Sequence, residues 1–123
     1  MTAYVEASLC AKARQELARQ GGEAGGIRIR AVCLPSPHKD GKLDLATIGA
    51  NARRATEDST AVAYLEAPNP RASRFAHPIL EIAEIPWIAS SSGQKAMAQL
   101  LKLIPEADSG SLRRSLQDKL NQP

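Results

Sequence analysis

Large aromatic side chains are scarce in this chain of 123 residues. It contains one tryptophan, two tyrosines and one phenylalanine, so that aromatics make up only 3% of the sequence. The length suffices for one domain with one core, which must therefore be filled mainly by alanine, leucine and isoleucine. Long apolar runs are absent as well, and no stretch reaches the roughly 20 residues that a direct membrane span requires.

Charge of one sign does not accumulate anywhere. The chain contains sixteen lysines and arginines and thirteen acidic residues, which gives a net charge of +3. The tight basic clusters are the pairs Arg53–Arg54 and Arg113–Arg114, which are typical of solvated helix faces. Nucleic-acid-binding domains concentrate basic residues on one face or helix, so we expect no nucleic-acid partner.

Residues that carry enzyme chemistry are few and isolated. His38 and His77 are the two histidines, and neither belongs to a Cys/His/Asp cluster at metal-ligand spacing. No Ser/His/Asp arrangement is recognisable, and the paired glycines near residue 25 precede a strand rather than the helix of a phosphate loop. We expect no catalytic residues, no metal, no cofactor and no enzyme activity.

Two cysteines, Cys10 and Cys33, leave two interpretations open. Both could be free buried thiols. Alternatively they form a disulfide, which would close a loop of about 22 residues and contribute about 3 kcal/mol. Cys10 lies beside the apolar stripe of the first predicted helix, and Cys33 points to the same side of a strand as Ile27 and Ile29. If the helix covers that side of the strand, the two can meet, which favours the disulfide.

Hydrophobic periodicity predicts helices that alternate with three strands. Alternation of this kind indicates right-handed crossovers and a three-layer α/β fold, with a mostly parallel sheet of few strands and helices on both faces. Asp44 and the pair Ser91 and Gln94 are predicted helix caps, and Pro78 should kink or delay its helix. The predicted helices span residues 3–20, 44–57, 71–83, 91–104 and 111–120, and the predicted strands span residues 27–34, 61–66 and 85–89.

Three segments occur in the order and spacing of a known family. They are residues 25–30 (GGIRIR), residues 48–58 (IGANARRATED) before a buried strand, and residues 77–86 (HPILEIAEIP) before a serine run. Together with the elements between them, they resemble the type I periplasmic solute-binding proteins, the branched-chain amino-acid-binding family of ABC transporters. The resemblance covers residues 17–92 and implies a periplasmic-binding-protein-like, flavodoxin-like lobe.

Residues 93–120 are similar to the helical segment near the family's C-terminus, through residues 95–97 (KAM) and 112–113 (LR). The resemblance therefore implies one truncated lobe over residues 1–123, with an N-lobe core at 1–92 and a C-terminal helical pair at 93–123. The family's first strand precedes its first helix, and nothing in residues 1–3 supplies that strand. We therefore expect a sheet with unpaired edges and a tendency to form a homodimer.

The family resemblance also implies a ligand site. Open parallel sheets bind ligands outside the carboxyl ends of their strands. In the family, the loops there hold the carboxylate and amine of an amino acid, which implies five ligand-binding residues here: Asn69, Ser73, Ser90, Ser91 and Ser92. Turn and cap roles are the alternative for the same residues. Glu66 stands where the family has a glycine, and Pro70 where it has a ligand-facing serine.

The expected function follows from the resemblance and the disulfide. It is an extracytoplasmic domain that is related to the substrate-binding proteins of ABC transporters and binds a small amino-acid-like solute. Alternatively, the domain is vestigial and has lost this binding. We expect it to be secreted or membrane-tethered, with a leader not present in this chain. The alternative is a protein-interaction or sensor module of a membrane-tethered protein, which the missing first strand would favour.

Overall fold

A computed structural model describes residues 1–121 and has the predicted three-layer α/β architecture. Four parallel strands form the central sheet, and two short antiparallel hairpins lie beside it. The sheet strands are β1 (Thr2–Val5), β4 (Arg30–Cys33), β7 (Ala61–Glu66) and β8 (Trp87–Ala89); the hairpin strands are β2 (Glu23–Ala24), β3 (Ile27–Arg28), β5 (His38–Lys39) and β6 (Lys42–Leu43). The helices are α1 (Ala7–Arg19), α2 (Leu45–Thr56), α3 (Pro70–Ile82), α4 (Gly93–Leu103) and α5 (Leu112–Leu120).

The sheet runs in the order β4-β1-β7-β8 and separates two apolar layers. Alternate residues of each strand point to opposite faces, so Val5 joins one layer and Tyr4 the other. Helices α1, α4 and α5 pack on the Val5 side, and α2 and α3 pack on the Tyr4 side. The core is largely aliphatic, as the scarcity of aromatics predicts.

The expected absence of the first strand is wrong. Residues 2–5 form β1 at the centre of the sheet, hydrogen-bonded to β4 and β7, although the periodicity predicts that residues 3–5 belong to a helix over 3–20. All four residues are buried, so the strand has no polar alternation that would reveal it. Glu6 is still extended, and α1 begins only at Ala7. The argument for homodimer formation through a sheet that lacks this strand therefore fails.

The predicted strand over residues 27–34 is two elements. Ile27–Arg28 turns back onto Glu23–Ala24 through Gly25 and Gly26, both of which have positive φ. Glycine adopts this backbone conformation without steric cost, which makes the tight hairpin accessible. The chain then continues into β4, the edge strand of the main sheet.

The structure changes one predicted helix cap and places Pro78 inside a helix. Ser92, and not Ser91, caps α4, because its Oγ accepts a hydrogen bond from the Lys95 backbone N–H at 3.1 Å. Pro78 lies inside α3, which continues to Ile82. A proline there leaves the carbonyl of Arg74 without its helical donor. Arg74 is on the exposed face of the helix, where solvent can hydrogen-bond to that carbonyl.

The cysteines form the predicted disulfide, so the free-thiol interpretation is wrong. Cys10 and Cys33 are bonded, with their Cα atoms 5.6 Å apart. The bond ties α1 to the edge strand β4; Cys10 is buried and Cys33 is exposed. Among residues 1–121, no helix is long and apolar enough to cross a membrane.

Arg113 connects α5 to the amino-terminal edge of the sheet by hydrogen bonds. Its guanidinium donates hydrogen bonds to three backbone carbonyl oxygens: Ala61 at 2.6 Å, Asp58 at 2.8 Å and Ala83 at 3.1 Å. These carbonyls belong to the start of β7 and to the loops at that edge. The neighbouring Arg114 instead makes one exposed ion pair with Glu84 at 2.7 Å.

Replacement of Arg113 by alanine is expected to reduce the free energy of unfolding by about 2 kcal/mol, since three charge-assisted hydrogen bonds to backbone are lost. Arg114→Ala is the matched control, and its exposed ion pair should contribute less than about 0.5 kcal/mol. Urea unfolding followed by circular dichroism measures both. Equal losses in the two variants would contradict the anchoring role of Arg113.

Candidate functional site

The candidate site lies at the carboxyl ends of β1 and β7, the two central strands. Successive strands are added on one side of β1 first and then on its other side, so the strand order reverses between β1 and β7. From β1 the chain crosses through α1 to β4 on one side, and from β4 it crosses through α2 to β7 on the other. The two crossover helices leave the sheet on opposite faces, which opens a crevice between β1 and β7. Crevices of this kind are where open α/β sheets bind ligands.

Glu6 follows β1 directly and bridges this crevice. It occupies the N-cap position of α1, yet its carboxylate makes no capping hydrogen bond there. Instead, one carboxylate oxygen accepts the backbone N–H of Ala67, in the loop after β7. The backbone N–H of Glu6 donates to the carbonyl of Leu65. Glu6 therefore connects the ends of the two central strands and places a half-buried carboxylate between them.

Glu66 is the second carboxylate and the last residue of β7. It is only 6% exposed. One carboxylate oxygen, Oε1, accepts a hydrogen bond from Ser73 Oγ at 3.1 Å and also contacts His77 Nε2. Ser73 and His77 are four residues apart, so α3 presents both on one face. The His77 ring in turn stacks on Trp87 of β8, with ring centroids 3.9 Å apart.

The surroundings of Glu66 and Tyr64 change their acidity. Burial raises the pKa of Glu66 above its usual value, while His77 and Ser73 act in the opposite direction and the nearby Glu6 carboxylate adds to the rise. Tyr64, two residues earlier on the same face of β7, has a raised pKa because it is buried and faces both carboxylates. Its hydroxyl therefore keeps its proton and can act as a hydrogen-bond donor at neutral pH.

We call the crevice between these groups the switch-point cleft. Its volume of about 30 Å³ has room for roughly two water molecules. It can therefore accept a small polar group of a ligand, but not an entire amino acid, without opening. The cleft is lined by Glu6, Pro37, Ile48, Asn51, Tyr64, Glu66, Ala67, Asn69, Ala72 and Ala76.

Asn69 and Ser73, two of the residues implied by the family resemblance, lie at or beside this cleft. Asn69 lines it and caps α3, where its Oδ1 accepts the backbone N–H groups of Arg71 and Ala72. Ser73 contacts Glu66 and so orients the buried carboxylate. Each residue thus has a structural partner.

The three serines lie at the same edge of the sheet but toward the other face. Ser90 is nearest to Glu66, to whose carbonyl its backbone N–H donates. Its side chain forms hydrogen bonds with the backbone of Ser92, which caps α4. Ser91 is exposed. The five residues therefore share one edge without lining one cleft.

A second, wider groove runs beside Ser91 and Ser92 along α1. Its volume is about 380 Å³. The carboxylate of Glu16, a residue only 2% exposed, lies there and accepts hydrogen bonds from Arg19 and Gln20. These donors lower the pKa of Glu16 to about 2. Glu16 is therefore an anion whose hydrogen-bonding needs are met within the protein.

No family model, curated protein or solved structure matches this chain.

Within residues 1–121, no three His, Cys, Asp or Glu side chains are arranged so that they could hold a metal ion. The side chains of Glu66 and His77 are hydrogen-bonded to each other, and Glu6 lies on the other side of the cleft from Glu66.

Sequence reasoning missed Glu6 and Tyr64 as site residues. Glu6 was assigned to a helix, because the strand before it was not recognised. Tyr64 was counted only as part of a buried strand. A signal existed for Glu66, since a carboxylate that ends a buried parallel strand lies at the ligand edge of the sheet. Recognition of β1 would have placed Glu6 at the same edge.

Proposed function

We propose that this chain is a lobe related to the type I periplasmic solute-binding proteins and that it binds a small amino-acid-like solute through the solute's cationic group. The observation that carries the proposal is the pair of carboxylates, Glu6 and Glu66, which meet with the Tyr64 hydroxyl in the switch-point cleft. An ammonium group is the complement of two carboxylates and fits a space of this size, as does one edge of a guanidinium group.

The charge in the cleft supports a cation over an anion. Glu66 is buried, and its neighbours Ser73 and His77 both approach the same carboxylate oxygen, Oε1. The other carboxylate oxygen has capacity for a further donor. Glu66 also replaces the glycine of the resembled family, which changes the polarity of this loop. The solute that we propose is therefore a basic amino acid or a related amine.

The disulfide supports a location outside the cytoplasm, secreted or tethered. Disulfides persist in oxidising compartments and are rare in reducing ones. Binding by a single lobe should be weak, because ligand sites normally bury most of their ligand and this cleft contacts only one end of it. We expect dissociation constants in the millimolar range.

The experiment is a titration of the isotope-labelled chain with L-arginine, followed by amide chemical shifts. Arginine should shift the signals of residues 6, 64 and 66–69, and L-glutamate should not. Glu66→Gln should weaken binding at least roughly tenfold, since the charge that attracts the cation is lost. Binding should also weaken as the pH falls through the raised pKa of Glu66, because the protonated acid carries no charge.

Glu57→Gln is the matched control. Glu57 is an exposed glutamate at the C-terminal end of α2, at the opposite edge of the sheet. The variant changes the net charge equally and should bind like the parent. Equal weakening in both variants would indicate a non-specific charge effect. No shift with arginine, lysine or agmatine at roughly 10 mM would overturn the proposal, because even weak one-ended contacts would be detectable there.

A further inference from the structure

The outer face of α3 carries an apolar stripe that nothing in residues 1–121 covers. Ile82 is 88% exposed and Phe75 is 42% exposed, although both are large apolar side chains. Pro78 lies between them and is exposed as well. Positions 75, 78 and 82 fall on one side of a helix, and they form a continuous strip about two turns long. Contiguous exposed apolar surface is typical of interaction sites.

Basic residues lie at one end of this stripe and an acidic residue lies at the other end. Arg71 and Arg74 lie toward the N-terminal end of the outer face, and Glu81 lies toward its C-terminal end. All three are exposed, and none forms an ion pair within the described part of the chain. The helix therefore has a basic end, an apolar centre and an acidic end on one surface.

We propose that this face binds a second copy of the same chain, with α3 packed antiparallel against its counterpart about a two-fold axis at Pro78. A two-fold contact brings the same patch of both subunits together, so the patch must be complementary to itself. In an antiparallel pair centred at position 78, Phe75 comes within one residue of the level of Ile82 of the partner. Arg74 comes within one residue of the level of Glu81 of the partner, and each offset is only about 1.5 Å. Both contacts occur twice.

Self-complementarity is the reason to choose a second copy over another partner. A different protein would need a matching arrangement of charge, whereas an antiparallel copy of α3 supplies it automatically. Gly49 of α2 helps to make the face flat: a Cβ there would lie 3.0 Å from the Phe75 ring, so Phe75 lies low against α2. The dimer leaves the carboxyl edge of the sheet free and does not depend on the proposed solute.

Sedimentation velocity and light scattering over about 10 µM to about 1 mM test the proposal on the oxidised full chain. We expect the mean mass to rise toward that of a dimer with concentration. Ile82→Glu should weaken dimer formation roughly tenfold or more, because it places a charge against the apolar side chain of Phe75 of the partner. Ala11→Glu, at an exposed position of α1, adds the same charge elsewhere and should dimerise like the parent.

Charge reversal distinguishes this geometry from other dimers. Arg74→Glu and Glu81→Arg should each weaken dimer formation, since each places like charges opposite one another. The double variant restores both ion pairs of the two-fold contact and should regain the parent's dimerisation. A mass that stays monomeric to 1 mM, a dimer unaffected by Ile82→Glu, or a double variant without recovery would each overturn the proposal.

Discussion

Replacement of Gly93 by alanine should lower the free energy of unfolding by more than about 3 kcal/mol. Gly93 begins α4, which packs against α1 at close range. A Cβ at Gly93 would lie 2.1 Å from the carbonyl oxygen of Leu9 and 3.1 Å from the backbone nitrogen of Ala13. Both atoms belong to the backbone of α1, so no side chain can move aside. The two helices would have to separate, and the core between them would lose its packing.

The measurement is urea unfolding of the variant beside Gly110→Ala. Gly110 has no positive φ either, and the nearest atom to its added Cβ is Asp108 Oδ1 at 3.4 Å, an ordinary contact. Its replacement should change stability by less than about 0.5 kcal/mol. A Gly93→Ala variant as stable as Gly110→Ala would show that α1 and α4 do not approach this closely.

Reduction of the disulfide should lower the free energy of unfolding by about 3 kcal/mol. The bond joins residues separated by 23 positions, and it removes conformational freedom from the unfolded chain. Cys33 is exposed on an edge strand, so a small reductant reaches the bond without global unfolding. Denaturation with and without a phosphine reductant, together with intact mass after alkylation, measures the effect.

The control is the double variant Cys10→Ala and Cys33→Ala. It should have the stability of the reduced parent and should not respond to reductant. Two thiols that alkylate readily in the unreduced, denatured parent would contradict the bond itself. Parent and double variant of equal stability in oxidising buffer would show that the cross-link contributes little.

The layers of the fold were predictable because they depend on strong periodic signals. The apolar stripe of α2 and the fully apolar β7 could each be assigned from residue spacing, and their alternation indicates a parallel sheet. β1 could not be assigned in this way. It is four residues long, is buried on both faces and runs into a helix after one residue, so its pattern merges with that of α1. In the resembled family a strand precedes the first helix, and the structure contains a strand at that position.

The candidate site was less predictable, because its geometry depends on which strands are neighbours. Ser73 was assigned to the ligand edge, but its contact with Glu66 requires knowledge of how α3 lies on β7. Serine positions in a loop also carry too little information to separate Ser91 from Ser92 as the helix cap. The close approach at Gly93 depends on tertiary packing alone, and no local pattern marks it.

The position of β1 also bears on how the protein is made. Tyr4 pairs with Val32 on one side and with Tyr64 on the other. Of the four strands of this sheet, the central one thus comes first in the chain, and its second neighbour follows about sixty residues later. Pairing over this sequence separation slows folding relative to a helical bundle of equal size. Until β7 emerges, the apolar strand has an open edge, and a nascent chain stalled there would be prone to aggregate.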